Sequence, residues 1–338
     1  MLNLNQRIDA FIKLGEYLKS EPWADWESTF RKAEIDNGFF TQEFSKAALL
    51  GIGHMLNAKD LNEIESRYPS LENTTSKQVG VVMAGNIPAV GFHDFASVLL
   101  AGHTLLAKPS TQDSVLIKRI ATELVRIEPA FENRMHWVER LNDADAFIAT
   151  GSDSAALQFK YYFGKKPNLI RGNRTSVLVL HGWETAENLK PATSDMFQYF
   201  GLGCRSVGKV YLPEEYKVET LCDAINTQSW LLNHHKYMNN YNYHKAIALM
   251  NLDPFLDTNF VMVRESEQLH APLGQILFEY YKDLETLQQK LQQIETKLQV
   301  ITSVNAWFEG SIPSGTAQQP GFFDYADGAD TLQFLEGV

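Results

Sequence analysis

Cysteine is scarce in this sequence, whose 338 residues contain only Cys204 and Cys222. Two cysteines this far apart supply neither a disulfide framework nor the paired spacing of a zinc site, so we expect no metal. The fold must instead be stabilised by a buried apolar core, which a chain of this length can build. Cys222 lies in the helical pattern VETLCDAI, where we expect a small buried hydrophobe.

Long apolar runs and positive charge are also lacking. No window approaches the roughly 18 uninterrupted apolar residues of a membrane-spanning helix, and the N-terminal pattern is amphipathic rather than that of a signal peptide. Lysine and arginine number 30 against 41 aspartate and glutamate, a net charge of −11. Nucleic-acid surfaces are normally basic. We therefore expect a cytoplasmic protein that binds neither membranes nor nucleic acid, although one local basic patch would suffice for a phosphorylated small molecule.

Strand-like and helix-like segments alternate through most of the chain. Short apolar runs typical of buried parallel strands are VGVVMAG (79–85), HTLLAKPS (103–110) and SVLVLHG (176–182), and each is followed by a helical pattern. This alternation predicts an α/β fold with two doubly wound, largely parallel sheets and a helical N-terminal segment. Residues 281–300 have the spacing of one amphipathic helix packed on a sheet. The tail is expected to be loop before a short last element.

The loop around Cys204, YFGLGCRSVGKVYLP (199–213), is the first candidate for chemistry. A thiolate is the reactive form of cysteine, and nearby positive charge or oriented N–H groups favour it. Arg205 supplies a neighbouring cation, while Gly201 and Gly203 allow backbone conformations that other residues avoid. These features allow a nucleophile, and they also allow an inert buried thiol.

Polar residues follow three strand-like segments, namely 79–85, 103–110 and DADAFIATGS (143–152), and ligands gather at such strand ends in parallel sheets. Asn86 follows the first and either donates N–H groups to a developing oxyanion or caps the next helix. Lys108 ends the second and can reach a ribose or phosphate, and small and hydroxyl residues after the third suit close phosphate approach. The candidate cofactor residues are Lys108, Ser110, Thr111, Thr150, Gly151 and Ser152.

In order along the chain, these motifs resemble the aldehyde dehydrogenase superfamily. The resemblance rests on an Asn-x-Pro turn at 86–88, Lys-Pro-Ser at 108–110, Thr-Gly-Ser at 150–152 and Gly-x-x-Cys at 201–204. The tail AQQPGFFDYADGADTLQFL (317–335) is similar to the ending of the acyl-CoA reductase branch, the LuxC-like proteins. The similarity covers roughly residues 78–338.

The resemblance implies a role for each matching position. Cys204 matches the nucleophile, and Asn86 matches the asparagine that stabilises the thiohemiacetal oxyanion. Lys108 matches the lysine that contacts the adenosine ribose, and Gly151 and Ser152 match the turn at the cofactor pyrophosphate. It further implies a dinucleotide-binding domain at 71–172, preceded by helical residues 1–70. A catalytic domain at 173–315 would follow, with 316–338 returning to the active-site region.

One departure concerns the base that activates water. Aldehyde-oxidising members carry a glutamate in a Glu-Leu-Gly-Gly-Lys context, whereas the corresponding stretch here is NLIRGNRTS (168–176). Without a carboxylate there, exchange of one thioester for another is favoured over hydrolysis. The surrounding segment is the most basic in the chain, which suits the phosphates of CoA or simply a solvated face. Its candidate CoA-binding residues are Lys165, Lys166, Arg171 and Arg174, with Lys160 nearby.

A second departure concerns the cofactor. NAD-preferring relatives place a glutamate three positions after the lysine, where it bonds the ribose 2′-hydroxyl, and this chain has Thr111. A carboxylate would repel a 2′-phosphate and a hydroxyl can bond it, so we expect NADPH rather than NADH. The resemblance allows a homo-oligomer, although the C-terminal oligomerisation strand of the family is not evident in this sequence. The role of LHAPLGQI (269–276) is not assigned.

The expected function is NADPH-dependent reduction of an acyl-CoA to an aldehyde through an acyl-Cys204 intermediate. One alternative is a cofactor-free cysteine acyltransferase or thioesterase, which would need a histidine partner; His93 and His103 lie nearest the Asn86 turn in sequence. Another is a non-catalytic nucleotide-binding scaffold of the same fold.

Overall fold

The structure, a computed structural model, describes residues 2–338. It divides into two compact units. The first extends to Asn173 and takes in Gln319–Val338, and the second is Arg174–Gln318. The N-terminal helices and the C-terminal tail thus belong to the same unit.

Unit 1 is a sheet with helices before, between and after its strands. Its elements are α1 Leu4–Lys19, α2 Glu27–Asp36, α3 Gln42–Met55, α4 Ala58–Asn62, α5 Ile64–Arg67, β1 Gln78–Val82, α6 Phe92–Leu100, β2 Thr104–Lys108, α7 Val115–Ile127, β3 Met135–Trp137, β4 Ala146–Thr150, α8 Asp153–Phe163 and β5 Asn168–Arg171. The predicted strands at 79–85 and 103–110 are confirmed as β1 and β2, each somewhat shorter than its apolar run.

The sheet of unit 1 is parallel throughout, in the order β3-β2-β1-β4-β5. Successive strands extend from β1 on one side and then cross to β4 on the other. The crevice at such a reversal, outside the carboxyl ends of the strands, is where open α/β sheets bind ligands. The residues that follow β1, β2 and β4 are therefore the ones that the topology favours for ligand contact.

Helices cover both faces of this sheet, which confirms a doubly wound arrangement. Val79 and Val81 of β1 belong to the large apolar core that includes residues of α1, α6 and α7. Leu106 of β2 and Phe147 of β4 point to the other face, where Phe163 of α8 packs. The alternation follows from the period of two in a strand, and explains why these segments are apolar throughout.

Unit 2 contains the second sheet. Its elements are β6 Thr175–Val179, α9 Ala186–Phe197, β7 Val207–Pro213, α10 Val218–Ile225, α11 His235–Asn251, β8 Leu256–Asp257, β9 Met262–Glu265, β10 Gln275–Tyr281, α12 Leu284–Gln293, β11 Leu298–Ser303 and β12 Ile312–Pro313. The order is β12-β11-β6-β7-β10-β9-β8, with β8 and β9 antiparallel at one edge. The other pairs are parallel, so this sheet is largely parallel, as expected. The chain ends in α13, Thr331–Glu336, which confirms the short last element.

The predicted single helix at 281–300 is wrong in its second half. Helix α12 ends at Gln293, and Leu298 begins strand β11, which pairs with β6. Leu287 and Leu291 are buried on the helix, as the spacing requires. The stretch VITS that follows is β-branched in three of its four positions, which favours a strand at the open side of β6. Among the described residues, no helix is long and apolar enough to cross a membrane.

Candidate functional site

Three of the predicted site positions lie at the carboxyl edge of the unit 1 sheet. Lys108 is the last residue of β2 and Thr150 the last of β4, and Asn86 follows the end of β1 between them. Because the three strands are adjacent and parallel, their ends lie at the same edge. Lys108 and Asn86 are exposed there. The structure thus brings together in unit 1 residues that are far apart in sequence.

Asn86 does not cap the following helix. The N-cap of α6 is Gly91, which makes no side-chain capping bond. Asn86 instead lies in the preceding turn, in which Ala89 adopts a left-handed conformation with φ of 55°. The capping alternative is therefore excluded, and an exposed amide at the carboxyl edge of the sheet is what the structure shows.

A buried carboxylate that the sequence analysis missed holds this turn. Asp113 is only 5% exposed, and the backbone N–H groups of Ala89 and Val90 hydrogen-bond its carboxylate. Burial raises the pKa of Asp113 to about 7, and these two hydrogen bonds oppose the rise. Its Oδ1 has no hydrogen-bond partner among residues 2–338. No sequence pattern predicts this role, because Asp113 follows β2 and its hydrogen-bond partners follow β1, so the contact exists only in the folded chain.

The turns after β1 and β2 pack closely. A Cβ added at Gly85 would come within 2.5 Å of Ser110 Cβ, so only glycine allows this approach. Ser110 Oγ accepts a hydrogen bond from the backbone N–H of Gln112 at 3.2 Å, and Thr111 is exposed. Thr111 can therefore meet a ligand at this edge, whereas the Ser110 hydroxyl contributes to the turn itself.

The Thr150-Gly151-Ser152 turn has features that fit a dinucleotide phosphate. Ser152 Oγ caps α8 by accepting the Ala155 N–H at 3.3 Å, and a Cβ on Gly151 would come within 3.0 Å of Ala155 Cβ. Thr150 Oγ1 is buried, and none of the residues that the structure describes hydrogen-bonds it. An orphaned hydroxyl beside the N-terminus of an 11-residue helix offers donors to an anion. The Ser152 hydroxyl is thus engaged as the N-cap of α8.

Cys204 lies in unit 2, in the loop between α9 and β7. Tyr199, Phe200 and Gly201 precede it, all with positive φ, at 54°, 59° and 76°. Two bulky residues in this sparsely populated region indicate a strained backbone, which persists only when the surrounding structure imposes it. Strain of this kind concentrates at functional sites. The Cys204 backbone carbonyl accepts a hydrogen bond from Ser176 Oγ at 2.9 Å, which ties the loop to β6.

Both cysteines are half-buried and neither forms a disulfide, but their surroundings differ. Cys222 lies in helix α10, where burial and the nearby Glu219 and Asp223 raise its pKa to about 11. The expected full burial of Cys222 is thus only partly met, although its thiol is held in the unreactive, protonated form.

One of the candidate CoA-binding residues, Arg171, is buried and cannot meet a ligand at the surface. Arg171 is 3% exposed; its Nη1 donates to both carboxylate oxygens of Asp94 at 2.6 and 2.8 Å, and its Nη2 donates to Thr331 Oγ1. It ties β5 to α6 and α13 instead of facing solvent. The physical reason is that a buried carboxylate requires a buried cation.

The other three basic residues keep charge at the surface to different degrees. Lys165 is exposed, and Lys166 is exposed while donating to the Ala144 carbonyl. Arg174 donates to the Leu298 carbonyl at 2.8 Å and belongs to unit 2. Lys165 is therefore the member of the set with the clearest access to an anion.

The two histidines nearest the Asn86 turn in sequence, His93 and His103, hydrogen-bond the C-terminal tail. His93 Nε2 donates to the Phe322 carbonyl at 2.8 Å. His103 is buried; its Nδ1 accepts the Lys77 N–H, and its Nε2 donates to the Leu335 carbonyl at 3.0 Å. Burial lowers the pKa of His103, in keeping with a neutral ring in this role. Within the described residues, no cluster of three or more His, Cys, Asp or Glu side chains could hold a metal.

Comparison with known proteins identifies the fold. No protein-family model and no curated protein matches the chain. Among solved structures, aldehyde dehydrogenase 21 from Physcomitrella patens in complex with succinate aligns over 100% of this chain and 84% of its own, with a TM-score of 0.69 and 11% identity. An indole-3-acetaldehyde dehydrogenase complexed with NAD+ covers 95% of this chain and 76% of its own (TM-score 0.64, 12% identity). The aldehyde dehydrogenase KauB from Pseudomonas aeruginosa aligns over 89% of this chain and 72% of its own, with a TM-score of 0.61 and 11% identity. The protein therefore has the aldehyde dehydrogenase fold.

Proposed function

We propose that the protein is an acyl-CoA reductase of the LuxC type, which reduces an acyl-CoA thioester to an aldehyde. The observation that carries the proposal is Cys204, set in a strained loop of an aldehyde dehydrogenase fold. A thiol so held is the natural nucleophile for a thioester. The proposed oxidoreductase activity, substrate and intermediate all depend on this side chain.

Acylation is the first proposed step. The Cys204 thiolate attacks the carbonyl carbon of the acyl-CoA, a new carbon–sulfur bond forms, and CoA leaves as its thiolate and takes up a proton. One thioester replaces another, so no water or base is consumed. The proposal gives the Asn86 amide the role of stabilising the oxyanion that develops on the carbonyl oxygen.

The stretch that replaces the hydrolytic glutamate is consistent with this choice. Residues 168–176 contain no carboxylate, and the Asn173 N–H in this stretch donates to Asp153 Oδ1 at 2.8 Å. Asp153 lies in the first turn of α8, and its Oδ1 is engaged by this backbone hydrogen bond instead of facing a water molecule at Cys204 as the family's glutamate would. We therefore infer that the acyl group is reduced rather than hydrolysed.

A nicotinamide cofactor would supply the hydride that converts the acyl-cysteine to the aldehyde. Residues of unit 1 that would hold it are Lys108 at the ribose, and Thr150, Gly151 and the N-terminus of α8 at the pyrophosphate. The exposed Thr111 has no negative charge to repel a 2′-phosphate, so we infer NADPH as the donor. The similar indole-3-acetaldehyde dehydrogenase is an NAD+ complex, which makes cofactor preference a direct test.

Phosphates of CoA would need a basic contact on the surface. Lys165 and Lys166 are exposed on unit 1, and Arg174 lies at the start of unit 2. With Arg171 buried, these three are the residues that we assign to CoA.

The test combines mass spectrometry with absorbance. Brief mixing with an acyl-CoA alone should add one acyl mass to the peptide containing Cys204, and addition of NADPH should remove it while reduced-nicotinamide absorbance falls and aldehyde appears. An acyl mass that is lost to water or another thiol without any absorbance change would instead identify a thioesterase or acyltransferase. No acyl mass with any chain length would identify a non-catalytic scaffold, and either result would overturn the proposal.

A further inference from the structure

A buried carboxylate, that of Asp195, lies close to the loop of Cys204. Asp195 is in α9 and only 1% exposed. Its Oδ2 accepts the Gly315 N–H at 2.6 Å and its Oδ1 accepts the Ala317 N–H at 3.0 Å. Both oxygens of one anion are thus used to hold residues 315–318, which we name the clasp. Bonds from an N–H group to an ionised acceptor are among the stronger hydrogen bonds in proteins.

The clasp packs directly on the helix that carries Asp195. Gly315 has a φ of +91°, and a Cβ there would come within 2.8 Å of Pro191 Cβ in α9. Only glycine permits both the conformation and the approach. Gln318 Nε2 also lies 3.5 Å from the Asp195 backbone carbonyl, at the limit of a hydrogen bond. The position of the clasp is therefore set by α9 and by the Asp195 carboxylate.

The same clasp holds the two residues that follow Cys204. Ala317 offers its carbonyl to Arg205 Nη1 at 3.3 Å, and Gln318 Nε2 donates to Ser206 Oγ at 3.2 Å. Ser206 Oγ in turn accepts the Gly203 N–H at 3.2 Å, from the residue before Cys204. A continuous set of hydrogen bonds thus runs from Asp195, through the clasp, to both neighbours of Cys204 in the chain.

We propose that Asp195 is a positioning residue for Cys204 and acts through the clasp. The Cys204 loop follows residues with left-handed backbone conformations, so its own backbone preferences do not favour the observed geometry. An external constraint that is itself buried and charged supplies the required rigidity. The inference rests on the proposed function only in that Cys204 is taken as the nucleophile.

Alkylation of the two thiols tests the proposal without any substrate. In Asp195→Asn, an amide NH2 would face one of the two N–H groups of the clasp, so at least one hydrogen bond is lost. We expect iodoacetamide to modify Cys204 about fivefold faster than in the wild type, the factor for one ordinary hydrogen bond, because the loosened loop exposes the thiol. Cys222, followed in the same digest by mass spectrometry, should react at its original rate.

The reaction with acyl-CoA should change in the opposite direction. Acylation of Cys204 needs an ordered loop, so its rate should fall in Asp195→Asn while alkylation rises. A general loss of stability would accelerate alkylation of both cysteines and would contradict the proposal, as would an unchanged Cys204 rate. Thermal unfolding of each variant shows whether the fold is retained.

Glu184→Gln is the matched control. Glu184 is also a buried carboxylate of unit 2, and it accepts two backbone N–H bonds, from His181 and Gly182 at 2.8 and 2.9 Å. It holds the turn after β6 instead of the clasp, so the ratio of Cys204 to Cys222 alkylation should stay at the wild-type value. If the wild type is never acylated by acyl-CoA, the proposed function fails, but the alkylation ratio still decides the role of Asp195.

Discussion

Each of the two units contains a buried aspartate that holds a turn by accepting backbone hydrogen bonds, and the two aspartates differ in how fully their oxygens are hydrogen-bonded. In unit 1, Asp113 holds the turn of Asn86, and in unit 2, Asp195 holds the clasp beside Cys204. Burial raises both pKa values, to about 7 for Asp113 and to about 6 for Asp195. Each Asp195 oxygen accepts a backbone hydrogen bond, at 2.6 and 3.0 Å, whereas Asp113 Oδ1 has no partner among the residues that the structure describes. The comparison teaches that hydrogen bonds to the charged form offset part of the cost of burying it.

The units also differ in where the sheet presents the site. Asn86, Lys108 and Thr150 follow the carboxyl ends of strands, the usual ligand edge of a parallel sheet. Cys204 instead precedes β7 and so lies at an amino end. The general rule for α/β sheets therefore locates the candidate cofactor residues and does not locate the candidate nucleophile.

The largest expected effect separates the two cysteines. Cys204→Ala should abolish acylation and aldehyde formation, because it removes the nucleophile, and should leave cofactor binding intact. Cys222→Ala should retain most activity, since burial keeps that thiol protonated. The measurement is acyl mass on the protein together with aldehyde yield. Full aldehyde production by Cys204→Ala would be incompatible with the proposed intermediate.

The next effect tests the role proposed for Asn86. Asn86→Ala should lower kcat by about 10²–10³, the usual cost of losing one oxyanion donor. Its exposed side chain makes little contribution to the core, so the thermal unfolding midpoint should hardly change. Steady-state kinetics with saturating acyl-CoA and NADPH measure the effect. A rise in KM with kcat unchanged would assign Asn86 to substrate binding instead.

The two carboxylates should differ in how pH affects stability. The folded-state pKa of Asp113, about 7, lies above its ordinary value of 3.8. Protonation of Asp113 therefore stabilises the folded state, and this contribution is complete below pH 3.8 and is lost as the pH rises to about 7. A shift of this size corresponds to at most about 4 kcal/mol. Urea unfolding at several pH values should show that Asp113→Asn removes this loss.

Asp195→Asn provides the comparison for that experiment. Its contribution should be lost over a narrower range that ends near pH 6, because its folded-state pKa is lower. A larger pH-dependent change for Asp195 than for Asp113 would reverse the order that we infer from their hydrogen bonds. Equal profiles of wild type and both variants would show that neither carboxylate has a shifted pKa.

Local patterns in the sequence predict most of the framework of this fold. The apolar runs of β1, β2, β4 and β6 predict buried strands, and Lys108 and Thr150 are then expected at the ends of β2 and β4. Strand β5 was missed, because NLIR is short and its Arg171 is buried only through Asp94 on α6. Asp113 and Asp195 were missed for the same reason. Their partners lie on other elements, and the contacts exist only once the chain has folded.

The smallest predicted effect concerns cofactor choice at the end of β2. Thr111→Glu places a carboxylate where it would accept a bond from a ribose 2′-hydroxyl and repel a 2′-phosphate. The ratio of kcat/KM for NADPH to that for NADH should therefore fall by roughly tenfold, because the new carboxylate repels the 2′-phosphate that only NADPH carries. Gln112→Glu is the control, because Gln112 is also exposed and adjacent. If both variants lower the ratio equally, the effect is that of added surface charge, and Thr111 has no specific contact with the 2′-position.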